Sequence, residues 1–593
     1  MSGGGFDDLI LHISPDKFFI ESLTATQHIL VIDRINYEIG LEQNNGQIPA
    51  IANRKPIAGL IGIITLISGP YLVVVTRKAR IGEVCGGDIW RVVETEIISY
   101  ARAEHHLTPS QLAANRRYTA MLQQVLSTPY FYFSYNTDLS HTRQRVDNLR
   151  SPEFQQKSLL ERCDKRFVWN YFLLEALLSN PKLHRYALPI THGFAAVHNC
   201  NVAGHKFTWA LVSRRSTERA GTRMHVRGID EHGHVANFVE TEQLVEAEGN
   251  VASFVQIRGS IPLLWSQRPD LRYKPPPTLD QTSHTDAFTR HFQTQVGLYG
   301  YQVIVNLVNQ QGSEGRLETK LRDTCATVRN DNVHYEPFDF HHECRKMRWD
   351  RLDILLNRLN QYQEQYGYFL QNREGKNLAR QTGVFRTNCI DCLDRTNVVQ
   401  SLLARRNLQV VLVRLGVIQE HMAIEQQETF EKLFKNVWAD HADLISIQYS
   451  GTGALKTDFT RTGNRTKMGL LEDGRRSMIR YYKNNFADGF RQDSMDLFVG
   501  NYVVTPTEGV TSESPAAPRQ LESRYVALPL LLIFSLAMLL LSIIIPAELS
   551  TEILLSAIFW AVMILVSGGV MLHFGNEFVD HPRLVHIPPS QLH

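Results

Sequence analysis

Cysteine is scarce: there are seven in 593 residues, at positions 85, 163, 200, 325, 344, 389 and 392. An odd, scattered set excludes a disulfide framework and points to a reducing compartment. Net charge is nearly absent as well, +2 at pH 7. Composition therefore gives no reason to expect nucleic acid as a partner, and electrostatic function has to come from local clusters. No internal repeat is evident. The N-terminus, MSGGGFDDLILHISPDKFF, lacks the basic region and unbroken apolar run of a secretory signal, and Ser2 rather than Gly follows Met1, which argues against myristoylation. With 43% hydrophobic and 21% charged residues, the chain has ordinary globular composition and length enough for two or more cores.

What the rest of the chain lacks, its C-terminal end has. Tyr525 to Ile545 (YVALPLLLIFSLAMLLLSIII) and Ile553 to Leu572 (ILLSAIFWAVMILVSGGVML) carry no charged side chain. Each is long enough to cross a hydrocarbon core of about 30 Å as a helix, and two such runs in succession are uncommon among buried core helices. The turn between them, PAELSTE at 546–552, holds two Glu and no Lys or Arg, whereas Arg519 and Arg524 precede the first run and Arg583 follows the second. By the positive-inside rule the turn is lumenal, and the N-terminal body and the 573–593 tail are cytosolic. Residues 503–524, rich in Pro, Ser, Thr and Glu, read as a flexible linker that could extend roughly 60 Å at about 3 Å per residue.

Ahead of the linker, the β-branched runs HILVIDRINYEIGL (28–41), GLIGIITLISGPYLVVVTRKARIGEV (59–84) and IWRVVETEIISY (89–100) predict an antiparallel β region. Helical spacing takes over in TPSQLAANRRYTAMLQQVL, with Thr108 as N-cap and Pro109 at the first helical position, and again over LLERCDKRFVWNYFLLEALL (159–178). NPKLHRYALPI (180–190) marks a boundary. The expected organisation is an N-terminal domain over 1–182 and an α/β catalytic domain over 183–502, in which strands such as FTWALVSRR and YQVIVNLVNQ alternate with helices such as RWDRLDILLNRLNQYQEQYGYFL.

The stretch VFRTNCIDCLDRTNVVQ (384–400) reads as a strand, a loop and a helix N-terminus. That arrangement aims free backbone N–H groups and a helix dipole at one spot, suited to bind an anion and to acidify a thiol. Cys389 and Arg395 form C-x5-R, a loop that can wrap one phosphoryl group with sulfur beneath phosphorus and the guanidinium forked onto two oxygens. Cys392 lies inside the wrap and cannot easily take the same role. Three other readings compete. A zinc site needs four spaced ligands, and in FDFHHECRKMRW the residues His341, His342, Glu343 and Cys344 are adjacent instead. A thioredoxin-type C-x-x-C leaves Arg395, Asp391 and Asp394 unexplained. An ordinary helix start with two buried thiols is the third, since C-x5-R recurs by chance.

RTNCIDCLDRTN closely resembles the signature of the Sac-domain phosphoinositide phosphatases. SRRSTERAGTRMHVRGID, VANFVETEQ, RGSIPLLWSQRP, FDFHHECRKMRWDRL, GTGALKTDFTRTG and MIRYYKNNFADGFRQDSMDLFVGNY are similar to family segments in family order. The C-terminal hairpin narrows the resemblance to the integral-membrane type of the endoplasmic reticulum and Golgi. It implies a Sac N-terminal domain, a catalytic domain and dephosphorylation of phosphatidylinositol 4-phosphate, with the 3-phosphate also accepted. Cys389 would attack phosphorus and form a cysteinyl-phosphate, without metal or cofactor. Arg395 and the loop, with Asn388, Ile390, Cys392, Leu393, Thr396 and, from the later basic segment, Lys456, would bind substrate. Either Asp391 or Asp394 would protonate the inositol oxygen, or both would merely cap loop N–H groups. Thr396 is expected to cap the helix rather than to bond the sulfur. Asn388 in place of His, and no Gly inside the loop, depart from the tyrosine phosphatase pattern.

Nine Lys or Arg against four acids over 455–491 suggest a basic surface facing anionic lipid. Expected partners are therefore phosphoinositide lipid, membrane and proteins of membrane contact or trafficking. The tail PRLVHIPPSQLH lacks the dilysine retrieval signal that membrane-bound relatives can carry, and the sequon at Asn464 should be unused on a cytosolic body. The alternative from a different class is a non-catalytic phosphoinositide-binding tether.

Overall fold

The computed structural model describes residues 4–345, 348–462, 466–510, 512–517, 523–544 and 551–585. The N-terminal strands form where apolar and β-branched residues concentrate. Five of them make an antiparallel sheet in the order Ile39–Gln43, His28–Asp33, Lys17–Ser22, Leu9–Ile13, Asn53–Ile57. One face of it, with Leu11, Phe18, Ile20 and Leu30, is buried against Leu72 and Val74 of a second, larger sheet.

That second sheet does not respect the boundary expected at 182/183. It runs from Gly59–Leu66, Gly69–Val84 and Gly87–Ser99 through the short strand Phe131–Phe133 into Thr191–Val202, His205–Arg215, Val239–Ala247 and Asn250–Arg258. Thr191 pairs with Tyr132 across the join. The late helix Asp488–Val499 also packs Met495 and Phe498 against Met121 and Val125 of the early helix Pro109–Leu126. The two halves thus share one sheet and one core. The start of Pro109–Leu126 is as expected: Thr108 accepts from the Gln111 amide at 3.2 Å, and Gln111 Oε1 accepts from the Thr108 amide at 3.1 Å.

The long helix expected over 159–178 is broken into Leu159–Arg162, a 3-10 turn Lys165–Phe167 and Tyr171–Leu178. Two polar residues account for the interruption. Asp164 caps the turn at Arg166, and the fully buried Asn170 donates to Ile61 O (2.7 Å) and Leu188 O (2.9 Å) while accepting from Ile190 N (2.9 Å). A side-chain amide that serves three distant backbone groups outweighs helix continuity there.

Beyond Asn250–Arg258 the sheet turns parallel. Gly383–Asn388 pairs with Tyr301–Asn306, which pairs in turn with Val333–Pro337. Val303 and Val305 bury against Leu355, Leu359 and Val399, while Ile304 buries against Phe288, Phe292, Leu317 and Leu321. Helices therefore cover both faces, as parallel strands require. From Tyr301–Asn306 the chain passes outward through helix Gly312–Val328 to Val333–Pro337, then returns to the other side as Gly383–Asn388. The order reverses at this point, a position at which parallel sheets place ligand sites beyond the C-terminal ends of their strands.

The segment expected as a free linker is, in its described part, fastened to the body. Val504, Glu508, Ser514, Ala516 and Ala517 are buried. Glu508 accepts from Tyr118 OH (2.7 Å), Ser514 Oγ (2.9 Å), Tyr502 OH (2.9 Å) and Thr505 N (3.0 Å). One satisfied carboxylate holds the polar segment down, so the extension inferred from its composition does not apply to 504–517; residues 511 and 518–522 lie outside the described residues. Two apolar helices follow, Ser523–Ile544 and Thr551–His573, with Phe534 edge-on to Trp560 at 5.5 Å between centroids. Their side chains are exposed nearly all round, as in a membrane span rather than a core helix. Most of the turn expected at 546–552 falls outside the described residues.

The chain then returns to the body. Asp580 N donates to Asn485 O (2.7 Å), Asp580 Oδ2 accepts from Phe490 N (2.8 Å), and Asp493 Oδ1 accepts from the amides of Arg583 (2.7 Å) and Leu584 (2.9 Å). Val579 and Leu584 are buried beside these bonds. Of the tail expected over 573–593, residues 586–593 lie outside the described residues.

Candidate active site

Strand Gly383–Asn388 ends at this switch point, and residues 389–393 loop from it into helix Asp394–Arg414. The helix begins two residues before Thr396. Thr396 therefore sits inside the first turn and cannot be its cap, and its hydroxyl instead donates to Cys389 Sγ at 3.6 Å. Leu393 occupies the cap position without a side-chain bond, its side chain buried with Val239, Ile445 and Tyr449.

Cys389 is buried, and its sulfur also accepts from Cys392 N at 3.0 Å. Cys392 takes a left-handed φ of 53°, which turns that N–H inward. Burial works against a thiolate at Cys389, but the Cys392 side chain, the Arg395 charge and the Thr396 hydroxyl together outweigh it and bring the pKa down to about 6. Cys392 behaves oppositely. Burial and the neighbouring Cys389 push its thiol well above the ordinary value, and its sulfur donates to Gly259 O at 2.8 Å. The two thiols are thus chemically unequal.

Arg395 is close to the loop but engaged elsewhere. Its Nη1 and Nη2 fork onto Glu314 at 3.1 and 3.2 Å, and Nη1 also reaches Leu307 O at 3.0 Å. The fork expected on phosphate is occupied by a carboxylate from the start of helix Gly312–Val328.

The aspartates separate as well. Asp391 accepts from Arg223 Nε (2.9 Å) and Arg227 Nη2 (2.7 Å). Burial would raise its pKa, but these guanidiniums overcome that and hold the carboxyl far below the usual range. It is an ionised bridge, which removes it as an acid candidate in this geometry. Asp394 is raised above its ordinary value by burial, with only partial compensation from Arg480 and from the Leu455 amide, which bonds it at 3.1 Å.

Of the other expected binding residues, Asn388 is locked into the strand end, donating to Asn306 and accepting from Arg386 Nη1 at 2.9 Å. Ile390 contributes its carbonyl to Arg227 Nη1 at 2.8 Å. Lys456 is exposed, its amide bonded to Asp473, and its charge acts on Asp394 and His341. The basic surface expected over 455–491 is largely neutralised or turned inward: Arg461 pairs with Asp440, Arg476 with Asp443, Arg491 with Asp488, and Arg480 is buried. Their long stems let these cations reach buried acceptors, which a count along the sequence does not register.

Sequence reasoning assigned no role to Arg223, Arg227 or Glu314, and counted Arg480 only within the basic surface expected over 455–491. The two arginines lie in the segment SRRSTERAGTRMHVRGID, whose density of arginine was a usable signal. Glu314 had none, because it enters from another strand's loop. Among the described residues no three His, Cys, Asp or Glu converge as metal ligands, and His341 Nδ1 lies 2.9 Å from Asn309 Oδ1.

Comparison with known proteins decides the family. The SacI homology domain matches residues 58–345. Phosphatidylinositol-3-phosphatase SAC1-A of Danio rerio is 48% identical over 577 residues, covering 97% of each chain. The chain belongs to the Sac-domain phosphoinositide phosphatase family. Phosphatidylinositol-3-phosphatase SAC1 of Drosophila melanogaster is 46% identical over 593 residues and 98% of each chain, and SAC1 of Saccharomyces cerevisiae is 36% identical over 550 residues, 90% of this chain and 86% of the yeast protein. As in the sequence reading, this Sac protein combines a β-rich N-terminal region, a mixed-sheet region bearing the signature loop and a pair of apolar C-terminal helices.

Proposed function

We propose that this Sac protein is a membrane-anchored phosphatase that converts phosphatidylinositol 4-phosphate, and also the 3-phosphate, to phosphatidylinositol through a cysteinyl-phosphate. The observation that carries the reading is the acidified Cys389 thiol at a helix N-terminus beside Arg395. The thiolate attacks phosphorus as the bond from phosphorus to the inositol oxygen breaks, and Asp394 gives that oxygen its proton. Water then attacks phosphorus, returns a proton to Asp394 and releases the thiolate with phosphate. Arg395 leaves Glu314 to fork onto the transferring group. Lys456 meets the anionic substrate at the mouth. Asp391 fixes the loop through Arg223 and Arg227.

The uncharged hairpin supports a membrane anchor, the charges at its ends favour cytosolic termini, and the resemblance to the integral-membrane Sac type favours the endoplasmic reticulum and Golgi. Proteins of membrane contact or trafficking are the natural partners of such an enzyme. The engagement of Arg395 by Glu314 favours a second reading, a phosphoinositide-binding tether without turnover. Phosphate release by the full chain in detergent micelles over a phosphoinositide panel separates the two. Turnover abolished by Cys389→Ser supports the phosphatase, whereas binding without release by the unaltered chain supports the tether. The thiolate route asks for no metal, so a chelator should leave the rate unchanged.

A further inference from the structure

Helix Lys467–Phe486 is built inside out. Most of its cationic and amide side chains face the body: Arg476 bonds Asp443 Oδ1 (2.7 Å) and Ala454 O (2.6 Å), Arg480 bonds the Thr452 hydroxyl (2.9 Å) and Gly453 O (2.8 Å), and Lys483 bonds Gly451 O (2.8 Å). Asn484 and Asn485 are buried. Met468, Leu471, Met478, Tyr482 and Phe486 recur in steps of three and four, with Arg475 filling the one gap, and so share the outer face. Met468 and Met478 are each 75% exposed, Leu471 71% and Tyr482 61%. Surface helices of soluble domains show the opposite pattern.

The position of this face indicates what covers it. It continues onto Tyr273, 65% exposed, whose ring stacks on Tyr481. Tyr481 OH donates to Leu271 O at 2.7 Å, and Leu271 N donates to Asn485 Oδ1 at 3.3 Å. The same short loop touches the chain just after the second apolar helix. A Cβ on Gly575 would lie 2.1 Å from Asp270 O, and Asp580 N is bonded to Asn485 O. The C-terminal end of the helix that carries the apolar face therefore lies beside the chain where helix Thr551–His573 ends. At about 1.5 Å per residue, the helix offers a strip roughly 30 Å long beside that point. Glu472 pairs with both Arg475 and Arg476, so apolar burial rather than charge would drive contact.

We propose that the outer face of helix Lys467–Phe486, with Tyr273, lies in the headgroup layer of the bilayer in which the chain is anchored and presents the phosphate loop to that surface. The connection to the loop is direct: Arg476 and Arg480 hold the 452–455 turn, whose Leu455 amide bonds Asp394. The docking itself follows from the apolar strip and its continuity with the hairpin. Only its consequence for turnover rests on the phosphatase reading.

Two measurements test it on the full chain in phosphatidylcholine vesicles containing phosphatidylinositol 4-phosphate. With bromine on the acyl chains, the added emission of Met478→Trp should be quenched; emission that the bromine leaves untouched overturns the docking, whatever the enzyme's activity. In the second, Leu471→Glu with Met478→Glu should lower turnover of vesicle lipid about tenfold or more while sparing a water-soluble short-chain substrate, and Leu471→Met with Met478→Leu should restore vesicle turnover. Equal losses on both substrates, no loss on vesicles, or dissociation of a dimer by the glutamates would each overturn the proposal. If the unaltered chain leaves even the short-chain substrate intact, the phosphatase reading falls instead, and the quenching result alone decides the docking.

Discussion

Arg395 and Glu314 face each other at the edge of the phosphate loop as a two-bond fork, at 3.1 and 3.2 Å. In the proposed reaction a carboxylate in that position competes with the dianionic phosphate for the same guanidinium. Glu314→Gln should therefore raise kcat/KM at low substrate about fivefold, the worth of one half-buried charged pair of roughly 1 kcal/mol. Arg395→Lys, which cannot fork, should lose about a hundredfold or more. Steady-state phosphate release checks both, and a loss in Glu314→Gln would mean that the pair orients Arg395 rather than withholding it.

The two aspartates predict different failures. Asp394→Asn should slow hydrolysis of the inositol lipid by on the order of 10²-fold yet barely affect an aryl phosphate, whose leaving group needs no proton. Asp391→Asn should impair both substrates alike, because it strands Arg223 and the buried Arg227, at about 3 kcal/mol of stability. Comparing the two substrates in each variant, alongside a denaturation curve, distinguishes acid from bridge.

Cys389 should be alkylated by iodoacetamide at a rate that rises with pH through a midpoint of about 6 and falls away below it, since only the thiolate reacts. Thr396→Val removes a donor to the sulfur and should move that midpoint upward. Cys389→Ser should abolish lipid turnover, while Cys392→Ser should leave much of it, because the Cys392 amide that bonds the sulfur is backbone and a serine hydroxyl can replace the thiol beside it. Mass spectrometry of the labelled peptide reports which thiol reacted.

Asp493→Ala deprives the amides of Arg583 and Leu584 of their acceptor, a loss of about 1–3 kcal/mol. The tail should then be nicked by protease faster than in the unaltered chain, with the core fragment persisting. An unchanged digestion pattern would indicate that Val579 and Leu584 hold the tail by packing alone.

The sequence made some of this legible and not the rest, for physical reasons. Signals carried by neighbouring residues were readable: the Thr108–Gln111 capping box, the strand-loop-helix order at 384–400, and the two uncharged helices. Spacing to Arg395 also set Cys389 apart from Cys392, and the two thiols do differ in acidity. Long-range contacts were not. Asn170 broke an expected helix by bonding Ile61, Leu188 and Ile190, and no local pattern could announce that three residues, Phe131–Phe133, would bridge two expected domains.

Polar composition along 503–517 looked like slack chain, because nothing local reveals that Glu508 meets Tyr118. Likewise, counting nine basic residues over 455–491 could not show which way their side chains turn. Nor could Asp391 and Asp394 be told apart along the sequence, because Arg223 and Arg227, which pair with Asp391, are distant in it.

Both strands of chain that connect the body to the hairpin are tied down, 504–517 against helix Pro109–Leu126 and 579–584 against helix Asp488–Val499. An enzyme held in this way searches a plane rather than a volume. Its rate should follow the mole fraction of substrate in the anchoring leaflet and ignore how much total lipid is suspended, so diluting the phosphoinositide with inert lipid slows it while diluting the vesicles does not.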